Sequence, residues 1–487
     1  MVDIYIISDL HIGGELPQAG RPRGFRLCTN TSLLAQFVNE LADVKDRAIE
    51  LVINGDMVDF LAERDFDSFT EDPQKAVGKL KAIIERDEVF FLALRNLLKN
   101  GHKLTILPGN HDIELLMPQV RRYFEDFIGA YNGRYLFIPD GEAYTIGKEV
   151  IIEHGNHYDD WNRVDFEGLH RLRQYLSRNE PTQGKVNFSP PKGSALVTNI
   201  INKIKEQYQF IDLLKPENEA MLPILLALEP NLRSHILTVM QYYFGLKSTN
   251  DRNAKTATTD KVNERGIFSA AANDEDNDMN SAQKELDNEL EKMLGSEDSR
   301  KEFERETPET LLMQSSGTKE RGIRETWAWA SGLFKLFIAK ESEHIDTRLH
   351  ALWRALRVLQ QDQSFDPTVE TLADYQKAAE KLSKNGFKYI VFGHTHFARR
   401  VQLPPPYDNA IYFNAGTWAD LMQFPKEIIA ENYEIALPQL RDFVSNLMKN
   451  NLKIYFKPTY VRISMDSSRQ YVTSADLFDY THTQGSV

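Results

Sequence analysis

The chain has 487 residues, 41% of them hydrophobic and 10% aromatic, enough to bury a sizeable core in one large domain with insertions or in two domains. A single cysteine, Cys28, excludes an intramolecular disulfide and a thiolate zinc cluster, and fits a reducing, cytoplasmic setting. The formal net charge of −13 is uneven: residues 274–309 hold 14 acids and 5 bases, and no long basic stripe exists to grip duplex nucleic acid.

The first element, DIYIISD (3–9), is an apolar, β-branched run that stops at Asp9 with no basic residue before it, so a buried strand is expected and not a signal peptide. An amphipathic helix near 31–43 follows, then a strand at ELVINGD (50–56), a helical stretch over 75–99, a strand at KLTILPGNHD (103–112), a helix over 114–128 and a strand at EVIIEHG (149–155). This βαβ rhythm predicts a layered α/β fold whose functional residues gather where strands end.

Between His154 and Lys388 the rhythm breaks. Residues 1–160 and 385–465 are expected to build the core, with 161–384 a mainly helical insertion or cap and 466–487 a C-terminal tail. Inside the insertion the most apolar stretch, 220–246, is interrupted by Pro223, Glu229, Pro230, Arg233 and His235, too polar for a membrane span. Residues 248–320 read as an acidic, disorder-prone segment. Within them, 274–309 is either disordered or a solvated helix, with Leu286, Leu290, Met293 and Leu294 at helical spacing, and would serve a protein partner. Trp327, Trp329, Phe334 and Phe337 read as core of inserted helices. Strands return at YIVFGHTH (389–396), AIYFNAGTW (410–418) and LKIYFKPTYVRIS (452–464).

The strand tails carry the chemistry. Asp9 and His11 are two apart, and in extended chain residues i and i+2 share a face, so a carboxylate and an imidazole can close on one ion. Asp56 ends the next strand in NGDMVD, where Gly55 permits close approach and a carboxylate can bridge two ions. PGNHDIE offers the amide oxygen of Asn110, the imidazole of His111, and in Asp112 a carboxylate able to orient that imidazole. His154 ends the EHG strand, and His394 and His396 repeat the i, i+2 spacing after Gly393. Asp-x-His and Gly-Asp alone read as a turn or a cap, while the GNHD tetrapeptide is more specific. Five strand ends together, with oxygen and nitrogen donors and no thiolate, form the pattern of a two-ion site for manganese, iron or zinc.

The series SDLH, NGD, GNHD, EHG and GHTH resembles the calcineurin-like metallophosphoesterase superfamily in order and spacing, over roughly 1–160 and 385–465. The resemblance implies a four-layered αββα sandwich with a large helical insertion, and two divalent ions, Mn2+ or else Fe or Zn, at the strand ends. It implies that Asp9, His11, Asp56 and His396 hold one ion and Asp56, Asn110, His154 and His394 the other, with Asp56 bridging. His111, oriented by Asp112, would protonate the leaving oxygen while a hydroxide shared by the ions attacks a phosphodiester, pyrophosphate or phosphomonoester. HGNHYDDWNR and FNAGTW are similar, more weakly, to the UDP-2,3-diacylglucosamine pyrophosphohydrolase-like branch, although this chain is much longer.

The implied substrate is a phosphorylated small molecule, a nucleotide or a lipid headgroup. Arg163, Arg399 and Arg400 are candidate substrate-binding residues, the first just after His154 and the others just after the last ligand. Arg171, Arg173 and the KGS stretch at 192–194 are weaker anion candidates, read more plainly as solvated surface and a helix cap. Asp159 and Asp160 could stand behind the ligands. Two alternatives stay open: a nuclease acting on DNA or RNA, and a non-catalytic scaffold, which should have lost ligands or the acid histidine.

Overall fold

A computed structural model of the chain describes residues 2–17, 24–228 and 345–481, apart from a few isolated positions. The acidic segment 248–320, including 274–309, lies outside the described residues, as do 229–246 and Trp327, Trp329, Phe334 and Phe337. The chain divides into two compact units, one of Met1–Glu217, Asp362–Phe424 and Lys449–Val487, the other of Asn218–Gln361 and Pro425–Met448.

The strands run β1 (Val2–Ile7), β2 (Ala48–Asn54), β3 (Lys103–Leu107), β4 (Tyr135–Phe137), β5 (Tyr144–Ile146), β6 (Val150–Ile152), β7 (Leu214–Lys215), β8 (Tyr389–Phe392), β9 (Arg399–Gln402), β10 (Ile411–Asn414), β11 (Met422–Gln423), β12 (Thr459–Met465) and β13 (Val472–Asp479). The α-helices are α1 (Thr31–Ala42), α2 (Pro73–Arg86), α3 (Glu88–Lys99), α4 (Pro118–Ile128), α5 (Phe166–Ser177), α6 (Lys192–Leu196), α7 (Asn202–Lys205), α8 (Glu217–Leu228), α9 (Ile345–Leu356), α10 (Ala373–Lys384) and α11 (Tyr433–Met448).

In the first unit a six-stranded sheet has the order β13-β12-β1-β2-β3-β4, with β1 to β4 parallel and β12 and β13 added antiparallel at one edge. A five-stranded sheet has the order β5-β6-β8-β10-β9, its three middle strands parallel and its two edges antiparallel. Strand alternation divides the side chains among three cores. Ile4, Ile6 and Val52 of the first sheet meet Val150, Ile152, Val391 and Phe413 of the second in one buried cluster. Tyr5, Ile7, Leu51 and Ile53 point the other way, into a cluster with Leu34, Phe37, Phe90, Leu94 and Phe124 of the helices. On the outer face of the second sheet Ile151, Ile390, Phe392 and Tyr412 pack with Tyr375, Ala378 and Ala379 of α10. The layers are therefore helix, sheet, sheet, helix, as expected, and each fully buried Ile, Leu or Phe contributes on the order of 1.5–3 kcal/mol.

The domain limits differ from expectation at both ends of the insertion. Helix α5 puts Leu169, Leu172 and Leu176 into the first helical core, and α10 covers the second sheet, because each carries an apolar stripe that only those faces bury. Residues 466–487 are not merely a tail: β13 pairs with β12 from Thr459↔Asp479 to Met465↔Val472. The predicted 75–99 helix is two helices broken at Asp87, whose carboxylate accepts from Thr31 Oγ1 at 2.8 Å and pairs with Arg26.

The second unit holds α9 and α11, joined where Trp353 Nε1 donates to the Ala430 carbonyl at 2.9 Å and the Trp353 and Tyr433 rings lie 5.2 Å apart. Among the described residues no helix is long and apolar enough to cross a membrane.

Candidate metal centre

Five loops, those leaving β1, β2, β3, β6 and β8, bring the motif residues together. The strands stop two to five residues earlier than the sequence suggests, and the backbone then leaves the extended region. Asp9 (φ 54°), His11 (φ 46°), Asp56 (φ 49°), His394 (φ 69°) and His396 (φ 64°) are all left-handed. The expected extended i, i+2 geometry is thus wrong in mechanism: turns, not pleats, aim these side chains. Each such residue costs on the order of 1–3 kcal/mol and persists because its neighbours over-determine it. Leu10 N and His11 N both donate to the Asp56 carbonyl at 2.9 Å, and His394 N donates to the Asp9 carboxylate at 2.9 Å. Glycine is required beside them: a Cβ at Gly55 would collide with the His154 ring, and one at Gly109 with the Asp56 carboxylate.

Three groups of donors result, one of them His11, Asp59 and His111 and the other two built wholly from the motif ligands. Asp9, His11 and His396 offer donor atoms within 4.8 Å of one another, and Asp56, His154 and His394 do the same. Asp56 lies between the groups, its Oδ2 3.8 Å from His11 Nε2 and 3.3 Å from His154 Nε2, while Oδ1 accepts from His111 N at 2.8 Å. The Nε2 atoms of His11 and His396 face each other at 3.0 Å. Asn110, on the loop after β3, keeps Oδ1 buried and unpartnered, with Nδ2 pointing to Asn162 Oδ1 at 3.4 Å. His154 Nδ1 donates to the Asn54 carbonyl at 2.8 Å, which fixes the ring and leaves Nε2 as the donor to an ion. Hard carboxylate and amide oxygens with imidazole nitrogens, aimed inward and partly unpaired, fit two divalent cations.

The electrostatics agree. Burial works against the Asp56 carboxylate, yet His154, His111 and His11 outweigh it and hold Asp56 well below the usual range. Burial likewise opposes charge on His154 and His111, but the facing carboxylates, Asp56 for both and Asp59 for His111, raise each to about 9. Burial, helped by Lys215 and His11, pushes His396 well below an ordinary histidine.

Asp112 does not orient His111. Its two oxygens accept from Gly109 N at 2.6 Å and Met57 N at 2.8 Å, tying the β2 and β3 loops together. Asp59 instead faces the His111 ring, Oδ1 lying 3.2 Å from Nδ1 as a charge contact without hydrogen-bond geometry, and its other oxygen lies 3.4 Å from His11 Nδ1. Sequence reasoning missed Asp59, although it stands in the same NGDMVD stretch as Asp56. Asp159 does stand behind a ligand, with Oδ2 3.2 Å from His394 Nε2 and 2.8 Å from Asn162 Nδ2.

The three candidate arginines are engaged elsewhere. Arg399 is 1% exposed and donates to the Ser364 and Asp366 carbonyls at 2.7 and 3.1 Å. Arg400, one residue on along β9, points to the other face and reaches Asp476 at 2.7 Å. Arg163 pairs with Asp160 at 2.7 Å on the exposed side of its loop. The KGS stretch is also accounted for: Gly193 N donates to the Trp161 carbonyl at 2.8 Å.

A four-layered sandwich with these donors at its strand ends is a metallophosphoesterase scaffold. Residues 2–200 match the calcineurin-like phosphoesterase family. Among curated proteins none is significantly similar to the chain.

Proposed function

We propose that the protein is a metal-dependent hydrolase of phosphate esters, acting on a phosphodiester, pyrophosphate or phosphomonoester. The observation that supports this reading is the convergence of Asp9, His11, Asp56, His154, His394 and His396 from separate loops, with Asp56 between the two groups; the buried, unpartnered Asn110 Oδ1 is the proposed seventh ligand. Two divalent cations held there, Mn2+ in the first instance and Fe or Zn otherwise, would neutralise phosphoryl oxygens and lower the pKa of a water between them. Because a ligating imidazole must be neutral, cation binding displaces the proton that Asp56 favours on His154.

His111 is left outside the ligand set and partly open to solvent. Its Asp59 partner favours the imidazolium, the form that can give a proton to the departing oxygen. Asp59 thereby acts as orienter, and Asp112 as a brace that fixes the distance between the two loops. The cytoplasmic setting stays part of the proposal; Cys28 is free and inaccessible, and burial raises it to about 12. A protein partner at 274–309 stays part of the proposal. The non-catalytic alternative would need lost ligands, and the full set weighs against it.

The test is Mn2+-dependent hydrolysis of bis(4-nitrophenyl) phosphate beside 4-nitrophenyl phosphate, with metal content measured on the same samples and His394→Ala as control. Turnover that needs Mn2+ and disappears in the variant is the expected result. Absence of both turnover and bound metal in the wild type would return the protein to the scaffold class.

A further inference from the structure

Beside the His396 ring lies a recess that the hydrolytic chemistry leaves unused. It has a volume of about 50 Å3, is open on one side, and is lined by Phe365, Phe397, Tyr455, Leu421 and Lys457. The three rings are each only half-buried. Phe365 stands edge-on to both others, with centroids 5.3 Å from Phe397 and 5.1 Å from Tyr455 and an interplanar angle of 81° in each case. Adjacent aromatic rings left partly in water are a surface that gains by covering.

The two cations that line this recess are committed within the protein. Arg399, which also lines it, sits 5.1 Å over the Phe397 ring, but its charge is taken up by the Ser364 and Asp366 carbonyls and by Glu370 at 3.8 Å. Lys457 pairs with Asp479 at 3.0 Å. A second phosphate would therefore meet apolar rings and neutralised charge there. A group joined to phosphorus through one oxygen, with the phosphoryl group at the ligands, would pass His396 and enter the recess.

We propose that the recess seats the ester substituent of the substrate, and that this substituent is a neutral aromatic ring, not a second phosphate. The proposal rests on the hydrolase reading above. The volume admits the edge of a single ring, so the ring stands partly in solvent and any polar atoms it carries can stay hydrated.

The experiment is calorimetric titration of the Mn2+-loaded full chain with benzylphosphonate, whose CH2 stands in for the ester oxygen, and with methylphosphonate, neither of which is hydrolysed. Benzylphosphonate should bind about tenfold more tightly, the order expected for covering part of one ring. Phe365→Ala and, separately, Tyr455→Ala should each cut that ratio to about twofold or less and leave methylphosphonate affinity unchanged, which shows that fold and metals persist. Equal affinities in the wild type, or an undiminished ratio in both variants, would overturn the aromatic subsite and leave the hydrolase reading intact. Binding of neither phosphonate by protein that carries Mn2+ would remove the hydrolase reading and the subsite with it.

Discussion

Strand β2 and the loop that leaves it place two buried carboxylates in opposite situations. Glu50, near its start, is 1% exposed and fully answered: Thr105 Oγ1 at 2.7 Å, Tyr144 OH at 2.8 Å, Lys103 Nζ at 3.0 Å, and Arg469. Asp56, just past its end, is equally buried but lies in a group whose members oppose one another. There two imidazole nitrogens meet at 3.0 Å and the Asn110 oxygen is buried without a partner. A buried charge without compensation is costly, so a cluster that closes on itself is structural and one that stays frustrated is waiting for a ligand. The first holds the sheet to its last hairpin. The second has the donor set that divalent cations would satisfy.

The largest effect that would break this contrast is at Asp56. Asp56→Asn should weaken both cations together and abolish Mn2+-dependent turnover, read as metal per chain by plasma mass spectrometry after dialysis; retention of two ions with normal turnover would remove the bridging role. His111→Ala comes next. It should lower kcat by about two to four orders of magnitude, the range of general acid catalysis, while metal content stays that of the wild type. Loss of metal in that variant would place His111 among the ligands.

At the other end of β2, Glu50→Gln should leave metal content and turnover untouched and cost about 3 kcal/mol of stability, since it strands Arg469 and Lys103 beside a neutral group. Lys103 and Arg469, with hydrogen bonds from Thr105 and Tyr144, outweigh burial and lower the Glu50 pKa. Its contribution is accordingly complete above the unfolded carboxylate value of about 4.3 and is lost as pH falls through the lower folded value. Urea unfolding of wild type and variant should therefore converge only in strong acid; a stability difference that grows as pH falls would contradict the assignment.

How much of this was legible beforehand depends on which force placed each residue. The strand ends could be read because apolar β-branched runs must be buried and their polar final residues must be used. The motif residues that the loops bring together could be picked out for the same reason, and their role as ligands is part of the proposal. Asp59 was hidden because MVDF is itself buried, and its role depends on the loop turning back so that Phe60 N meets the His111 carbonyl at 3.2 Å. Proximity in sequence misled at Arg399 and Arg400: β9 resumes strand alternation directly after the ligand loop, so one arginine goes into the core and the other to the outer face. Strand β13 gave little signal because, as an edge strand, it has no regular alternation of buried and exposed side chains.

Asp59 is where the contrast between the two clusters is finest, because it belongs partly to each kind. It is answered by hydrogen bonds from Leu61 N at 3.0 Å and Ala62 N at 3.1 Å, as a structural carboxylate would be, and it also touches His11 and His111. Asp59→Asn keeps the shape and an acceptor oxygen for those amides but removes the charge that favours the His111 imidazolium. If the role is to poise His111, turnover should fall by about 10- to 100-fold with metal content near normal. The acidic-side limb of the pH–rate profile should stay, because the ligand carboxylates are untouched. The alkaline limb should move to lower pH, because the His111 proton is lost sooner without Asp59. If Asp59 serves mainly through His11, the loss should appear as weaker Mn2+ binding that added Mn2+ restores. The two outcomes separate a group that supports the chemistry from one that supports the metal.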